Sequence, residues 1–298
     1  MFDARGSSQK TAGSLGFGLA VTGMVAALFF GVLKFPGVTG SGVYPVPGTA
    51  SPASSETLER AFEDEATRAY VEKLQATFPA AARDLEDQIR RAKGRGADEV
   101  EIGLLVLQAG ADDIAGSVGR LALADVEHVD ALLTLSQTAL QELVRSAAPY
   151  CEGSDLMMFA SLSKQDLYRA VFDRVGHGAG LYEFGLTFNG ILLDAIRDAR
   201  TDPVYHGVLD VSDQQALQTL GLSLITKPEI TALLTTEGKS RSEMDAVMAN
   251  TNFCTLGGDI LTEVEALPQE TKARLWGEAM RQVESGNWRY TLYRYTGL

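Results

Sequence analysis

The sequence predicts an all-α protein with an N-terminal transmembrane helix, and three observations support this fold class. No charged residue occurs between Lys10 and Lys34. From Glu56 onward, apolar residues recur at three- and four-residue spacing, as on one face of an α-helix. Stretches of alternating β-branched residues, which would indicate strands, are nearly absent. The part after the transmembrane helix is expected to contain roughly ten helices, in a bundle or helical array.

Residues 15–35 form the predicted anchor, and a short polar tail over residues 1–14 precedes it. As an α-helix, Leu15 to Leu33 would be roughly 28 Å long, close to the hydrocarbon thickness of a bilayer. This run is longer than the apolar core of a cleavable signal peptide, which favours an uncleaved signal anchor. Small residues lie on one face of this helix and predict a homodimer or packing on a partner helix: Gly16, Ala20, Gly23, Ala27 and Gly31.

A flexible linker is predicted over residues 36–55, where Pro, Gly, Ser and Thr dominate and no charge occurs. Arg5 and Lys10 precede the anchor, whereas Lys34 is the only basic residue after it before Arg60. The positive-inside rule therefore predicts a cytoplasmic N-terminus. The expected location is the inner (cytoplasmic) membrane, with residues 36–298 on the extracytoplasmic, periplasmic side.

The charge of the chain limits its partners. The formal net charge is −13, and the residues beyond position 36 hold 23 basic and 38 acidic side chains, a net of −15. Such a field repels phosphate backbones, which argues against general nucleic-acid binding. It also argues against a body that lies flat on anionic lipid.

The exported domain is predicted over residues 56–298, with helical hairpins over 56–148 and a second, disulfide-linked part over 149–298. In the first part, Pro79 separates two amphipathic helices, and a continuous packed seam runs from Val100 to Val118. A small oxygen-bearing residue followed three positions later by an acid or amide marks further helix starts. These pairs are Asp98 with Glu101, Ser163 with Asp166, Ser212 with Gln215, Thr226 with Glu229, and Ser240 with Glu243; Pro268 suits the start of a last helix, and Gly286 suits its end.

The two cysteines, Cys151 and Cys254, predict a disulfide if the domain is exported. The bond would close a loop of about a hundred residues and stabilise the fold by about 3–5 kcal/mol. The alternatives are two buried free thiols, a catalytic thiol or a metal site. The spacing lacks a C-x-x-C pair, so we expect no metal and no cofactor.

Two residues are candidates for catalysis. His177 stands within the glycine-rich segment 176–180, which is typical of an oxyanion loop, but the nearest serine string, 115–119, lies in a helical stretch rather than after a strand. Glu183 follows and could act as the acid of an exported glycosidase if a second carboxylate lay nearby. The alternative for Glu183 is an ordinary first-turn glutamate that the helix dipole stabilises.

The last stretch of the chain concentrates aromatic and arginine side chains, which are typical of interface hot spots: Trp288, Arg289, Tyr290, Tyr293, Arg294 and Tyr295. The alternative is a terminal segment that packs back on the body. The sequence therefore favours a membrane-anchored protein that makes protein contacts in the cell envelope, and it leans away from an enzyme. Two alternatives stay open, an exported hydrolase that uses His177 or Glu183 and a helical domain that senses a small ligand.

Overall fold

The computed structural model describes residues 62, 64–146, 151–154, 180–234 and 240–285. Within these residues the chain forms helices and no β-strand, so the all-α prediction is confirmed. The helices follow in chain order: α1 (Glu65–Thr77), α2 (Pro79–Gly94), α3 (Glu99–Gln108), α4 (Ala111–Gly116), α5 (Val118–Leu121), α6 (Val126–Arg145), α7 (Gly180–Thr201), α8 (Val211–Leu224), α9 (Pro228–Leu234), α10 (Arg241–Ala249), α11 (Phe253–Glu265) and α12 (Gln269–Ser285).

Several predicted features lie outside the described residues: the anchor 15–35 with its small-residue face, the linker 36–55, the helix start at Ser163, the glycine-rich segment 176–179 with His177, and the C-terminal segment from Gly286. Among the helices that are described, none is both long enough and apolar enough to cross a bilayer. The anchor and its orientation therefore stay predictions.

The predicted seam from Val100 to Val118 is divided among three helices. α3 ends at Gln108, and Gly110 adopts a φ of +75°, in the left-handed region. A Cβ atom at Gly110 would lie 2.5 Å from Leu74 Cδ1. Glycine is therefore favoured here both by the backbone conformation and by the close approach of α1. The apolar spacing continues across this break, which explains why periodicity alone did not reveal it.

Local capping signals located several helix boundaries correctly. Asp98 accepts a hydrogen bond from the backbone N–H of Glu101 over 2.8 Å, and Ser240 forms a capping box with Glu243. Pro79 is the first residue of α2. The N–H groups at the start of a helix have no partner within the helix, so a proline, which has no N–H, is well tolerated at this position. Side chains that satisfy the first free N–H groups of a helix thus define these starts.

α7 and α1 run side by side in the same direction through the core. Near their starts, the hydroxyl oxygens of Thr67 and Tyr182 lie 2.9 Å apart. Near the end of α1, Thr77 Oγ1 donates to the carbonyl of Leu193 over 3.3 Å. The second contact lies further along the chain than the first on both helices, so the two helices are parallel. α7 also packs on α6 and α5, so its buried side chains hold the first and later helices together.

α6 and α11 form an antiparallel pair, and α12 packs on α6. Gln137 Nε2 donates to Thr262 Oγ1 over 2.9 Å, whereas Leu140 packs close to Gly257, five residues earlier on α11. Lys272 of α12 is nearly buried and donates to Asp130 Oδ1 over 2.6 Å. Buried side chains from α1 to α9, from α11 and from α12 belong to one hydrophobic cluster. The division of the domain at residues 148 and 149 stays a prediction.

The start of α8 differs from the prediction, which placed its cap at Ser212 with Gln215. Asp210 is the N-cap, and it forms a capping box with Asp213. The carboxylate of Asp210 accepts from the backbone N–H groups of Ser212 and Asp213 over 2.8 and 3.0 Å. A carboxylate two residues upstream therefore outcompetes the serine hydroxyl as the cap.

Asp213 attaches the start of α8 to α12. Its side chain is fully buried and accepts hydrogen bonds from Arg274 Nε over 2.7 Å and from Thr271 Oγ1 over 2.7 Å. The same carboxylate also accepts a hydrogen bond from the backbone N–H of Asp210 over 2.8 Å. Burial raises the pKa of Asp213, but the hydrogen bonds from Arg274, Asp210 and Thr271 outweigh burial and lower the pKa to about 2. The carboxylate is thus charged and fully partnered.

The Asp213 carboxylate should make the fold sensitive to acid. Its pKa is about 2 in the fold and 3.8 ordinarily. Its contribution, about 2 kcal/mol, is therefore present above about pH 4 and is lost as the pH falls towards 2. We expect the difference in free energy of unfolding between wild type and Asp213→Asn to shrink by about this amount between pH 5 and pH 2, measured by denaturant titration.

The matched control is Asp202→Asn, which changes an exposed aspartate on the loop before α8. Its difference from wild type should stay constant over the same pH range. If Asp213→Asn and Asp202→Asn lost stability in parallel across this range, the carboxylate of Asp213 would not be the acid-sensitive group.

Candidate functional site

One side of α8 faces solvent although it carries large apolar side chains. Val211 is 69% exposed, Leu222 is 64% exposed and Ile225, just after the helix, is 40% exposed. Gln215 and Gln218 are exposed between them. We call these five residues, Val211, Gln215, Gln218, Leu222 and Ile225, the outer stripe. Large exposed apolar residues that share one surface are typical of a site that binds something.

The inner side of α8 packs into the core. Leu217, Leu220 and Leu224 are buried and point towards α11, and their spacing is also that of a helix face. The helix thus has two faces that could pack, and the part of the chain that the structure describes covers only the inner one. Sequence reasoning missed the outer stripe because apolar residues occur all round this helix, so periodicity did not distinguish its two faces.

The exposed side of α8 carries no charge. Asp213 is the only charged residue in the helix, and it is buried against Arg274. The other exposed positions of this side are Ser212, Gln214 and Thr219. In a chain with 22% charged residues, a helix face of this length without a charge is unusual. Depletion of charge is characteristic of the centre of protein interfaces.

The loop before α8 also exposes two large apolar side chains. Tyr205 is 79% exposed and Val208 is 74% exposed. Hydrogen bonds attach this loop to the domain. His206 Nε2 lies 2.7 Å from the carbonyl oxygen of Ala124, and Arg281 donates to the carbonyl of Gly207 over 3.3 Å. Its apolar side chains are therefore presented on an ordered backbone.

The predicted disulfide is present in the structure. The sulfur atoms of Cys151 and Cys254 lie at bonding distance, and their Cα atoms are 5.1 Å apart. Both residues are buried and pack with Leu140 and Leu143 of α6. The bond joins residues that are 103 positions apart in sequence. It fastens the segment at 151–154 to the start of α11.

Backbone contacts beside the disulfide reinforce this attachment. Glu152 and Asn252 form an isolated antiparallel bridge, and the backbone N–H of Gly153 donates to the carbonyl of Thr251 over 2.9 Å. A Cβ atom at Gly153 would lie 1.7 Å from the carbonyl oxygen of Met248. Residue 153 must therefore be glycine for the two segments to approach this closely.

Of the two catalytic candidates, the structure describes only Glu183. Glu183 is exposed in the first turn of α7, where the helix dipole stabilises a carboxylate. His177 lies outside the described residues. The use of either residue by an exported hydrolase therefore stays a prediction. The arrangement around Glu183 agrees with the ordinary alternative, a first-turn glutamate.

The other histidines have structural partners. His128 Nε2 lies 3.1 Å from Asp198 Oδ2, which links α6 to α7, and His206 contacts the Ala124 carbonyl. In the part of the chain that the structure describes, no three His, Cys, Asp or Glu side chains are grouped as a metal site would require. The aromatic segment with Trp288, Arg289, Tyr290, Tyr293, Arg294 and Tyr295 lies outside the described residues.

The disulfide should contribute substantially to stability. Replacing both cysteines with alanine should lower the free energy of unfolding by about 4 kcal/mol, because the closed loop is about a hundred residues long. The melting temperature should fall by roughly 10 °C. Reductant should lower the melting temperature of wild type by a similar amount and leave the double variant unchanged. Equal responses of both proteins to reductant would contradict this role of the bond.

Comparison with models of protein families, with curated proteins and with solved structures found no match for this chain.

Proposed function

We propose that this chain is a membrane-anchored, exported helical protein that acts by binding another protein chain through the outer stripe of α8. One observation supports this function above others. An acidic protein presents a helix face that is apolar at both ends, uncharged throughout and not covered by the other described residues. Water contact with these apolar groups is unfavourable, and a helix of a second chain would remove it.

The disulfide supports the proposed location. Cysteines in the cytosol are kept reduced, whereas disulfides persist in exported proteins. Cys151 and Cys254 are bonded across a long stretch of sequence and are buried. Together with the uncharged run before Lys34 and the linker 36–55, this bond favours a body held outside the cytoplasmic membrane.

The oxidation state of the cysteines in cells tests the location. When cells are quenched in acid, denatured and treated with a maleimide-linked polymer, we expect the full chain to take up no polymer before reduction and two polymers after it. The control lacks residues 1–36, stays in the cytosol and should take up two polymers without reduction. Uptake of two polymers by the unreduced full chain would contradict export.

A charge on the outer stripe tests the binding function. Leu222→Lys should disrupt the complex, because it places an ammonium group within the contact, and it should leave the fold intact, because Leu222 is exposed. The matched control is Val144→Lys on α6, the same kind of substitution at another exposed apolar residue. The measurement is the mass of the complex gently extracted from native membranes.

Wild type and Val144→Lys should migrate as a complex heavier than one chain of 31.9 kDa, and Leu222→Lys should migrate as one chain. The proposal fails if wild type already migrates as one chain, or if both variants retain the complex to the same extent.

A further inference from the structure

The outer stripe of α8 is complementary to itself, and we propose that it packs against α8 of a second copy of this chain. The two helices would be antiparallel, with the two-fold axis close to Gln218. This inference rests on the proposed function, because it names the partner of the same surface. Four features of the described residues support it: spacing, symmetry, hydrogen-bonding capacity and charge.

The spacing of the outer stripe is that of a helix–helix contact. From Val211 to Ile225 its members follow each other at intervals of four, three, four and three residues. At 100° per residue, these positions fall within a sector of about 80° and form a line about 21 Å long. The same alternation of four and three residues lines the contact between helices that cross at a small angle.

The order of residue types suits a two-fold axis. In an antiparallel pair centred on Gln218, Val211 at one end meets Ile225 of the second copy, and the same contact repeats at the other end. An interface between two copies related by a two-fold axis must match itself in this way. Leu222 would lie opposite Gln215 of the second copy, so the apolar contacts at the two ends would lie on both sides of a largely polar centre.

The glutamine at the centre can bond to its own copy. A glutamine amide has both donor and acceptor groups, so two Gln218 side chains at the axis can exchange N–H···O hydrogen bonds. A lysine or a glutamate at this position would instead repel its copy. Polar residues in such a contact also fix the register of the two helices.

Charge favours the antiparallel arrangement. The body carries a net charge of −15, so two copies can approach only through a face without acidic groups. The two charged residues that flank the stripe are held within their own chain, Asp210 by Arg274 and Lys227 by Asp259. The stripe itself therefore brings no like charges together at the contact. An antiparallel pair also lets the two helix dipoles oppose each other favourably.

The expected contact is small, and the anchor would compensate for its size. The stripe and its uncharged neighbours are fewer than the 20 to 30 residues that each partner contributes to a typical stable interface. Confinement of both copies to one membrane raises their effective concentration, which strengthens a weak contact without adding area. The test therefore uses the full chain reconstituted in liposomes.

Crosslinking at the axis tests this pairing. In Gln218→Cys the new cysteine is the only thiol, since Cys151 and Cys254 are bonded. With a short bis-maleimide in liposomes, we expect this variant to form a species of twice 31.9 kDa at least tenfold faster than Gln141→Cys. Gln141 is the matched control, because it is an exposed glutamine on α6, away from the outer stripe.

A second substitution separates specific pairing from chance collision. Adding Leu222→Lys to Gln218→Cys should slow the crosslinking at least tenfold, and adding Val144→Lys should not change it. Equal rates for Gln218→Cys and Gln141→Cys, or a rate that Leu222→Lys leaves unchanged, would overturn the pairing.

The outcome also separates this inference from the proposed function. If Gln218→Cys does not crosslink in liposomes but Leu222→Lys dissociates the complex from native membranes, the stripe binds a different protein and the self-pairing is wrong. If neither effect is observed, both the self-pairing and the proposed function are wrong.

Discussion

The buried ion pair between Asp213 and Arg274 determines which side of α8 faces the core. Asp213 is the only charged residue of this helix, and every hydrogen bond it accepts comes from α12 or from its own cap. A charged carboxylate without these partners would be costly to bury. The helix therefore cannot rotate about its axis without leaving that charge unpaired. The exposure of the outer stripe follows from this constraint.

Polar contacts at the C-terminal end of α8 also determine which face of the helix is buried. Ser223 Oγ donates to Glu263 Oε1 over 2.6 Å, and Lys227 lies 3.1 Å from Asp259, both on α11. The start of α8 is attached to α12 and its end is attached to α11. These attachments direct Leu217, Leu220 and Leu224 towards the core. Hydrophobic burial supplies much of the stability, whereas these polar contacts select one of two apolar faces. The unselected face is the candidate site.

The sequence could predict the helices but not which face of α8 is buried. Apolar spacing and caps such as Asp98 and Ser240 are local properties, and the structure confirms them. The break at Gly110 depends on Leu74 of another helix, and the cap at Asp210 depends on competition between neighbouring acceptors. The exposure of the outer stripe depends on the ion pair between Asp213 and Arg274, which are 61 residues apart in sequence. Contacts between distant residues are not readable from periodicity.

The acidic surface and the uncharged stripe have complementary effects. Long-range repulsion between bodies of net charge −15 disfavours most encounters, so close approach is restricted to orientations that keep carboxylates apart. A face such as the outer stripe adds little affinity by itself, but it defines the orientation in which repulsion is smallest. The linker that the sequence predicts over residues 36–55 would let an anchored body reach that orientation without constraint from the predicted membrane helix. Specificity would then come from charge outside the contact, and attachment to the membrane would supply the missing affinity.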